Sequence, residues 1–596
     1  MAHNNVFDYI KAEETEFKTK QTPIADGYEW NMYEHLRMST LFRDSKYTKG
    51  SNDPGSPGFR PFKNIIRRIR NLALVAMDFD VKDIEPYVNS AQNYYKSFLV
   101  RKFHPQWARK HNIDTYIDEL IESYEDYGLA LSKHVNKIAP EVVQLHSLAF
   151  CDQTDILSGP ICLKHQYSPD QLKDMEQKGW KNVDKVITLA KKEYVDSSGN
   201  RTTSSPGKFV EVYELDGYFP RAWEKQHRKE DVTDEDLTTY TRQFWLTTFY
   251  KDEKGDKKGI TIFQGKGDTD KYKALVRDKI FGRACGMGGI EELFHPQIWT
   301  NYDEIRIQEM LDAASKIWHV TNDHGFNTRN NLKGADQNEV FTLAKDATMF
   351  QQMNTQAVNL TAFTNASARW EEHAQGIGSA YNAQLGQSPT AGTPFKLQEL
   401  VTAQGDGLHE KRKGKIATHL GEIYRDWVLY DLVREMNNEQ EFSEELSLKE
   451  LEYVIEQVMT CEFEKYKKEK ILNGEMVTEE ELVPMKEEFK AQFMKKGNKV
   501  FFKLFKDEVK GLPVDVFVNI AGKQKDLSKL TDKLVNIVRQ FLANPQILTI
   551  PGMADTFNEI LEASGLSPVS FSGLTKEQLS PPQPVESQLP VTAPAY

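Results

Sequence analysis

The sequence predicts an α+β chain that is mainly helical, and three observations carry that reading. Apolar residues recur every three or four positions over long segments, most clearly at Ile113, Tyr116, Ile117, Leu120, Ile121, Tyr124 and Tyr127, the period that lines one helix face. Strand signals concentrate in one region, residues 208–265. The 596 residues include 32 Phe, 24 Tyr and 9 Trp, so core material is ample although only 39% of residues are hydrophobic and 28% are charged. Global disorder is thereby excluded. The length allows about three to five domains, or one large architecture with sub-regions.

The elements follow in order. Residues 1–59 are polar, and Ser51 to Gly58 (SNDPGSPG) reads as a linker. Arg60, Lys63, Arg67, Arg68 and Arg70 then form a basic stretch with Ile65, Ile66, Ile69, Leu72 and Ala73 interleaved at helical spacing. It reads either as a solvated helix face or as a contact for nucleic acid or an acidic partner. Helical periodicity runs from Asp83 to Lys137, with a break expected at His104-Pro105. Val142, Val143, Leu145 and Leu148 suggest short strands, and Ser168-Pro169-Asp170 is a helix start with Ser as the cap.

Phe209 to Leu215 and Phe244 to Tyr250 read as strands, and Gly259 to Gln264 follows a charged hairpin turn. Gly282, Gly286, Gly288 and Gly289 suggest a flexible hinge before a helix from Asn301 to Trp318. Residues 319–358 are a polar insert with strand-like Val340 to Leu343, and helix resumes at 359–375. Residues 376–394 are small, polar and nearly uncharged, hence a loop. A helix from about Leu408 to Met436 follows, weakened or kinked at Gly414 and Gly421. Residues 439–496 are helical and hold 16 acidic against 9 basic residues, −7 of a total net charge of −12. Val514 to Ile520 alternates as a strand, Leu527 to Phe541 is amphipathic, and the chain from Ser567 is rich in Pro, Ser and Gln.

Several chemistries are disfavoured. Four cysteines, with no CxxC or Cys/His spacing, make neither a disulfide framework nor a zinc site. No apolar run approaches the ~20 residues of a membrane helix, and the first twenty residues lack a signal peptide's apolar core. A reducing, cytoplasmic site of synthesis is expected. There is no phosphate loop, HExxH or GxSxG. Asp78, Asp80 and Asp83 are a candidate carboxylate set for a metal-dependent nuclease. His319, Asp323 and His324 are the nearest approach to a metal cluster, and Cys285 is a candidate nucleophile without a nameable base. No catalytic residue, metal or cofactor is assigned.

The order of parts carries a resemblance. Ile138-Ala139-Pro140 through Cys151-Asp152, then Pro160-Ile161 and His165 to Ser168, come first. FVEVYELDGYFP at 209–220 and GRACGMGGIEELFHPQIWTNYDE at 282–304 follow, and IQEMLDAASKIW completes a helix. Together these segments resemble tailed-bacteriophage portal proteins, most of all those of crAss-like phages. The resemblance implies an N-terminal arm (1–59), wing (60–290), first stem helix (291–318), clip (319–358), second stem helix (359–378), tunnel loop (379–394), kinked wing helix (395–437), crown and C-terminal region (438–566) and Pro-rich tail (567–596).

A portal is a closed ring of about twelve identical subunits with heterologous contacts. The resemblance therefore implies a channel at one capsid vertex for packaging and ejecting double-stranded DNA, assembled in the host bacterial cytoplasm. Its partners would be other copies of itself, the DNA, the major capsid protein, the large terminase subunit and then the head–tail adaptor and tail proteins, with no membrane and no cofactor. Asn382, Gln384 and Gln387 in the uncharged loop would face DNA, and Arg60, Lys63, Arg67, Arg68 and Arg70 would face the shell or the DNA. A net acidic chain suits a conduit, because many Lys/Arg–phosphate contacts would hold DNA rather than pass it. The alternatives are the metal-dependent nuclease and an ejected internal virion protein.

Overall fold

The computed structural model describes residues 5–48, 60–88, 94–135, 139–189, 193–195, 201–203, 209–251, 257–268, 270–315, 317–320, 322–329, 342–345, 351–354, 360–379, 395–436, 463, 466–468, 470–473 and 514–518. They form a mixed α and β chain in two compact units, one of Met1–Asp78, Asp118–His134 and Glu141–Ile416, the other of Phe79–Ile117, Val135–Pro140 and the chain from Ala417. Length alone would have allowed more units.

In the first unit, a five-stranded sheet runs in the order Lys257–Lys266, Tyr240–Lys251, Val210–Pro220, Ile161–Tyr167, Leu148–Phe150, with every neighbouring pair antiparallel. Alternation along the strand Val210–Pro220 divides its side chains between two layers. Val210 and Val212 pack with Leu172, Val183, Val186, Leu246 and Ile260. Tyr213 and Leu215 belong to a larger core with Trp245, Leu129 and Leu163. Ser168 caps the helix Pro169–Glu176 through a reciprocal bond with Gln171, so this helix starts where the sequence places it.

The polar N-terminal stretch is part of that larger core. Helix Val6–Thr19 is capped by Asn5 and helix Met32–Arg43 by Asn31, and the hairpin Thr22–Ala25/Tyr28–Trp30 joins them. Val6, Ile10, Phe17, Trp30, Met32 and Leu36 are all buried there. Polar composition concealed this because a few apolar residues at helical spacing suffice to dock a short helix.

Other elements differ from expectation. Helix Tyr94–Lys110 runs through Pro105. Pro105 lies on the exposed side while His104, Trp107 and Ala108 are buried, so packing carries the helix across the missing amide bond. Leu145–Ser147 is a single 3-10 turn between the strands Ala139–Val142 and Leu148–Phe150.

The first long helix spans Phe294–Ser315, starting earlier than Asn301 and placing Pro296 in its first turn, where no amide bond is lost. It stops before Ile317 and Trp318, which lie in the strand Ile317–Val320 paired antiparallel with Gln351–Asn354. The apolar period continues through Trp318, but strand pairing overrides it. Helix Leu360–Ile377 then returns. The two helices pack antiparallel, with Trp299 stacked on Trp370 (centroids 6.1 Å apart, planes at 9°) and the Arg306 guanidinium 5.6 Å from the Phe363 ring. Ile66, Ile69, Ile290, Leu293 and Ala374 form a small core at the base of this hairpin.

The long helix Phe395–Ile423 begins well before Leu408 and stays α-helical through Gly414 and Gly421. The departure from α geometry comes later, as a π turn at Tyr424–Val428, before the helix Leu429–Met436. The expected glycine kink is therefore a π bulge.

In the second unit, strand Ile84–Val88 pairs antiparallel with Val514–Val518. Trp107, Ile113, Ile117, Leu420, Tyr424, Trp427, Val428 and Leu432 are buried. His104 Nε2 lies 3.1 Å from the Tyr424 hydroxyl. Burial pushes the Tyr424 hydroxyl up and holds the His104 imidazole down at about 4, so a neutral hydroxyl meets a neutral imidazole.

A pH prediction follows. The unfolded chain protonates His104 near pH 6.5, and the folded chain resists protonation down to about pH 4. The unfolded state therefore binds more protons within that window, and stability falls as pH falls through it, by up to about 3 kcal/mol. In His104→Phe the acid-sensitive part of this window disappears, at a cost near neutrality of about 1 kcal/mol for the lost hydrogen bond. Urea titrations at pH 7, 5.5 and 4.5 check both; an unchanged pH slope in the variant contradicts the assignment.

Candidate functional site

The first unit builds its candidate site around the helical hairpin Phe294–Ser315/Leu360–Ile377 and the glycine-rich segment that leads into it. The glycines do not form a hinge. Gly128, at φ +72°, sits so close to the segment 286–288, which crosses it, that a Cβ would fall 2.7 Å from the Gly286 carbonyl carbon and 2.8 Å from the Gly288 nitrogen. The Gly128 carbonyl accepts from the Arg277 and Gly286 amides at 3.0 and 3.2 Å, and Met287 N–H donates to Asp278 O at 2.9 Å. Glycine is required for contact between backbones, and the result is a packed crossing rather than a flexible one.

Charges lock the crossing. Arg277 is essentially inaccessible, with its Nε 3.1 Å from Glu125 Oε2, Nη2 3.0 Å from Glu292 Oε2, and Nη1 donating to Met287 O at 2.8 Å. Arg412, from the long helix, reaches Asp278 Oδ2 at 3.1 Å and Glu292 Oε1 at 3.4 Å, and Lys415 donates to Arg277 O. Burial pushes the Glu125 carboxyl up, opposed by Arg277 and Arg412. A second buried arginine, Arg283, grips Glu291 through both oxygens at 2.9 and 2.8 Å and donates to the Tyr28 hydroxyl at 2.6 Å. Its guanidinium lies 4.7 Å from the Trp30 ring. The N-terminal hairpin is thereby tied to the same crossing.

The basic stretch is divided by the fold. Lys63 bridges the two helices of the hairpin, with Nζ 2.9 Å from Glu304 Oε1 and paired also with Glu371. Its own backbone is stitched to the first helix, Lys63 N–H donating to Asn301 Oδ1 at 3.1 Å and Gln297 Nε2 donating to Lys63 O at 2.7 Å. Arg70 holds Asp126 through two bonds of 2.5 and 2.9 Å, and Arg43 approaches the same carboxylate at 3.4 Å. Arg60, Arg67 and Arg68 are exposed. Asn382, Gln384 and Gln387 lie outside the described residues.

The candidates for chemistry are dispersed. Among the described residues no group of three His, Cys, Asp or Glu could hold a metal ion; the Asp83 side chain, the third member of the candidate set with Asp78 and Asp80, lies outside them. Asp323 accepts from Arg329 and from the amides of Gly325 and Ala344, both at 3.0 Å, which makes it a loop organiser beside His324. Cys285 is fully buried, and that burial pushes its thiol up to about 12, the reverse of what a nucleophile requires.

Sequence reasoning missed one surface. Helix Met32–Arg43, the residues that follow it and the outer side of Phe294–Ser315 enclose a mainly apolar groove of about 560 Å³. Ile298, Trp299 and Tyr302 are 48%, 46% and 43% exposed there. The Trp299 and Tyr302 rings stand nearly perpendicular, with centroids 5.8 Å apart, and Arg306 covers Tyr302 at 4.1 Å. The IWTNY run carried this signal, since three large apolar residues of one helix lie away from its buried positions Gln297, Thr300 and Asn301. No helix among the described residues is long and apolar enough to cross a membrane.

No protein-family model matches the chain, and no curated protein matches it. Among solved structures, a chain from a virion of a native gene transfer agent particle is similar over 70% of this chain and 91% of that chain, with 10% identity and a TM-score of 0.24.

Proposed function

We propose that the chain is a portal protein, one subunit of a ring that forms a channel at a single capsid vertex, passes double-stranded DNA inward during packaging and outward during ejection, and docks the terminase and then the tail. The observation that carries this reading is the hairpin: a helix, a two-stranded sheet at its tip, and a returning helix, entered from a packed crossing and followed in sequence by a long helix with a π turn. In a portal this order would correspond to stem, clip, stem and kinked helix. The clip strands Ile317–Val320 and Gln351–Asn354 would meet the terminase and later the adaptor, and the sheet-containing region would meet the capsid shell.

The surface supports a chain made for neighbours. Val75 is 75% exposed, Phe281 86% and Leu311 43%, and apolar side chains presented in this way suit burial against another copy. The protein would be non-enzymatic, with the packaging ATPase supplied by the terminase. The net charge of −12 favours weak, sliding contact with DNA. Its place would be the portal vertex of a virion.

Electron microscopy of the purified protein tests the reading. The expected result is a ring of about twelve copies with a central hole wide enough for a duplex. A chain that stays monomeric under every assembly condition, including co-expression with a capsid protein, refutes it.

A further inference from the structure

The groove between helix Met32–Arg43 and helix Phe294–Ser315 carries two cations, Lys46 and Arg306, and no acid among its described lining residues. Trp299 and Tyr302 within it are nearly half exposed. A surface of this composition fits an apolar side chain that arrives with carboxylates beside it.

The same chain presents such a group on a different element. Residues 230–240, around the short helix Asp234–Thr238, hold the exposed acids Glu230, Asp231, Asp234 and Glu235 and no lysine or arginine. Leu237 is 54% exposed and Tyr240 62%, so large apolar side chains stand among the acids. The fifth acid, Asp236, is buried and holds the segment in shape. It accepts from Lys225 Nζ at 2.6 Å and from the Thr233 amide and hydroxyl at 2.9 and 2.6 Å. Arg221 N–H donates to Thr239 O at 2.9 Å and fixes the other end. A knob held in this way loses little conformational freedom on docking.

We propose that the groove binds a second copy of this chain, and that the part it receives is the acidic and apolar knob 230–240. Leu237 and Tyr240 lie against Trp299 and Tyr302, and the carboxylates lie at Lys46 and Arg306. Both surfaces are exposed within one chain, so neither occupies the other there and each is left for a neighbour. Groove and knob are different surfaces, so the contact is heterologous. Every copy gives its knob to one neighbour and its groove to another, the arrangement that builds rings. This inference deepens the portal reading and rests on it for the ring, naming the surfaces by which neighbouring copies meet.

The test uses the full-length chain and measures self-association by analytical ultracentrifugation. Arg306→Glu is expected to weaken association about tenfold, and Asp234→Lys/Glu235→Lys to do the same, each with unchanged circular dichroism. Combining the three changes in one chain restores opposite charges at every contact, and association is expected to return to within about threefold of the unaltered chain. A combined variant no better than the weaker of its parents overturns the proposal.

Mixing provides an independent readout. Trp299→Ala damages the groove and Leu237→Asp damages the knob, and neither variant alone is expected to form rings. Mixed in equal amounts, they are expected to form a capped pair, because one intact groove and one intact knob remain. Rings that form unchanged from either variant would mean that another protein covers the groove, which overturns the assignment and leaves the portal reading standing. An unaltered chain that stays monomeric under every assembly condition refutes both.

Discussion

Replacing Arg277 with alanine is expected to cost about 3–5 kcal/mol of unfolding free energy. The reason is what remains. Arg277 is buried between Glu125 and Glu292, and its removal leaves Glu125 as a fully buried carboxyl without its nearest cation. The deficit has a pH signature. Burial raises the Glu125 carboxyl, and Arg277 and Arg412 oppose that rise. Stability from that group falls as pH rises, and losing Arg277 strengthens the effect. The Arg277→Ala deficit should therefore widen as pH rises above the ordinary carboxylate range. Adding Glu125→Gln to Arg277→Met should recover most of the loss, because a neutral, well-packed replacement leaves no buried charge. Urea denaturation of the three variants at two pH values decides the matter. A deficit under about 1 kcal/mol for Arg277→Ala would mean that the crossing is not held by this ion pair.

Gly128→Ala is expected to lose about 2–4 kcal/mol, with two separable causes. The added methyl group meets backbone atoms of Gly286 and Gly288, which cannot rotate away as a side chain can. The φ of +72° also puts alanine in the left-handed region. Gly414→Ala is the control with the opposite sign. Gly414 lies inside helix Phe395–Ile423, and a Cβ there meets nothing within 4 Å, so alanine should stabilise by about 0.5–1 kcal/mol through helix propensity. Thermal unfolding of both variants checks the pair. If both shift in the same direction, glycine is not acting in the crossing as described.

Legibility in the sequence followed the reach of the interactions. The sheet strands were legible because alternation along Val210–Pro220 and the charged turn before Gly259 are local signals. The cap at Ser168 was legible for the same reason. The termination of the first long helix was not, because Ile317 and Trp318 keep the helical period and only their pairing with Asn354 and Met353, far along the chain, makes them a strand. The glycine cluster looked flexible because sequence reports the missing side chains and not the backbone that occupies their space. The basic stretch looked uniform, yet Lys63 and Arg70 are consumed by Glu304, Glu371 and Asp126. Those partners lie 56 or more positions away, and no local charge count pairs them. The aromatic groove escaped notice because its two walls come from helices more than 250 residues apart in sequence.

The Lys63 bridge gives the hairpin a mechanical property. It ties both helices near their base, through Glu304 and Glu371, and leaves the eleven residues after Glu304, up to Ser315, running about 16 Å beyond the tie. A pair of rods pinned in this way is a lever with its fulcrum at Lys63. A tilt of about ten degrees at the pin carries the strands at the tip through about 3 Å, close to the length of one hydrogen bond. A displacement of that size is enough to break or remake a hydrogen bond made at the tip.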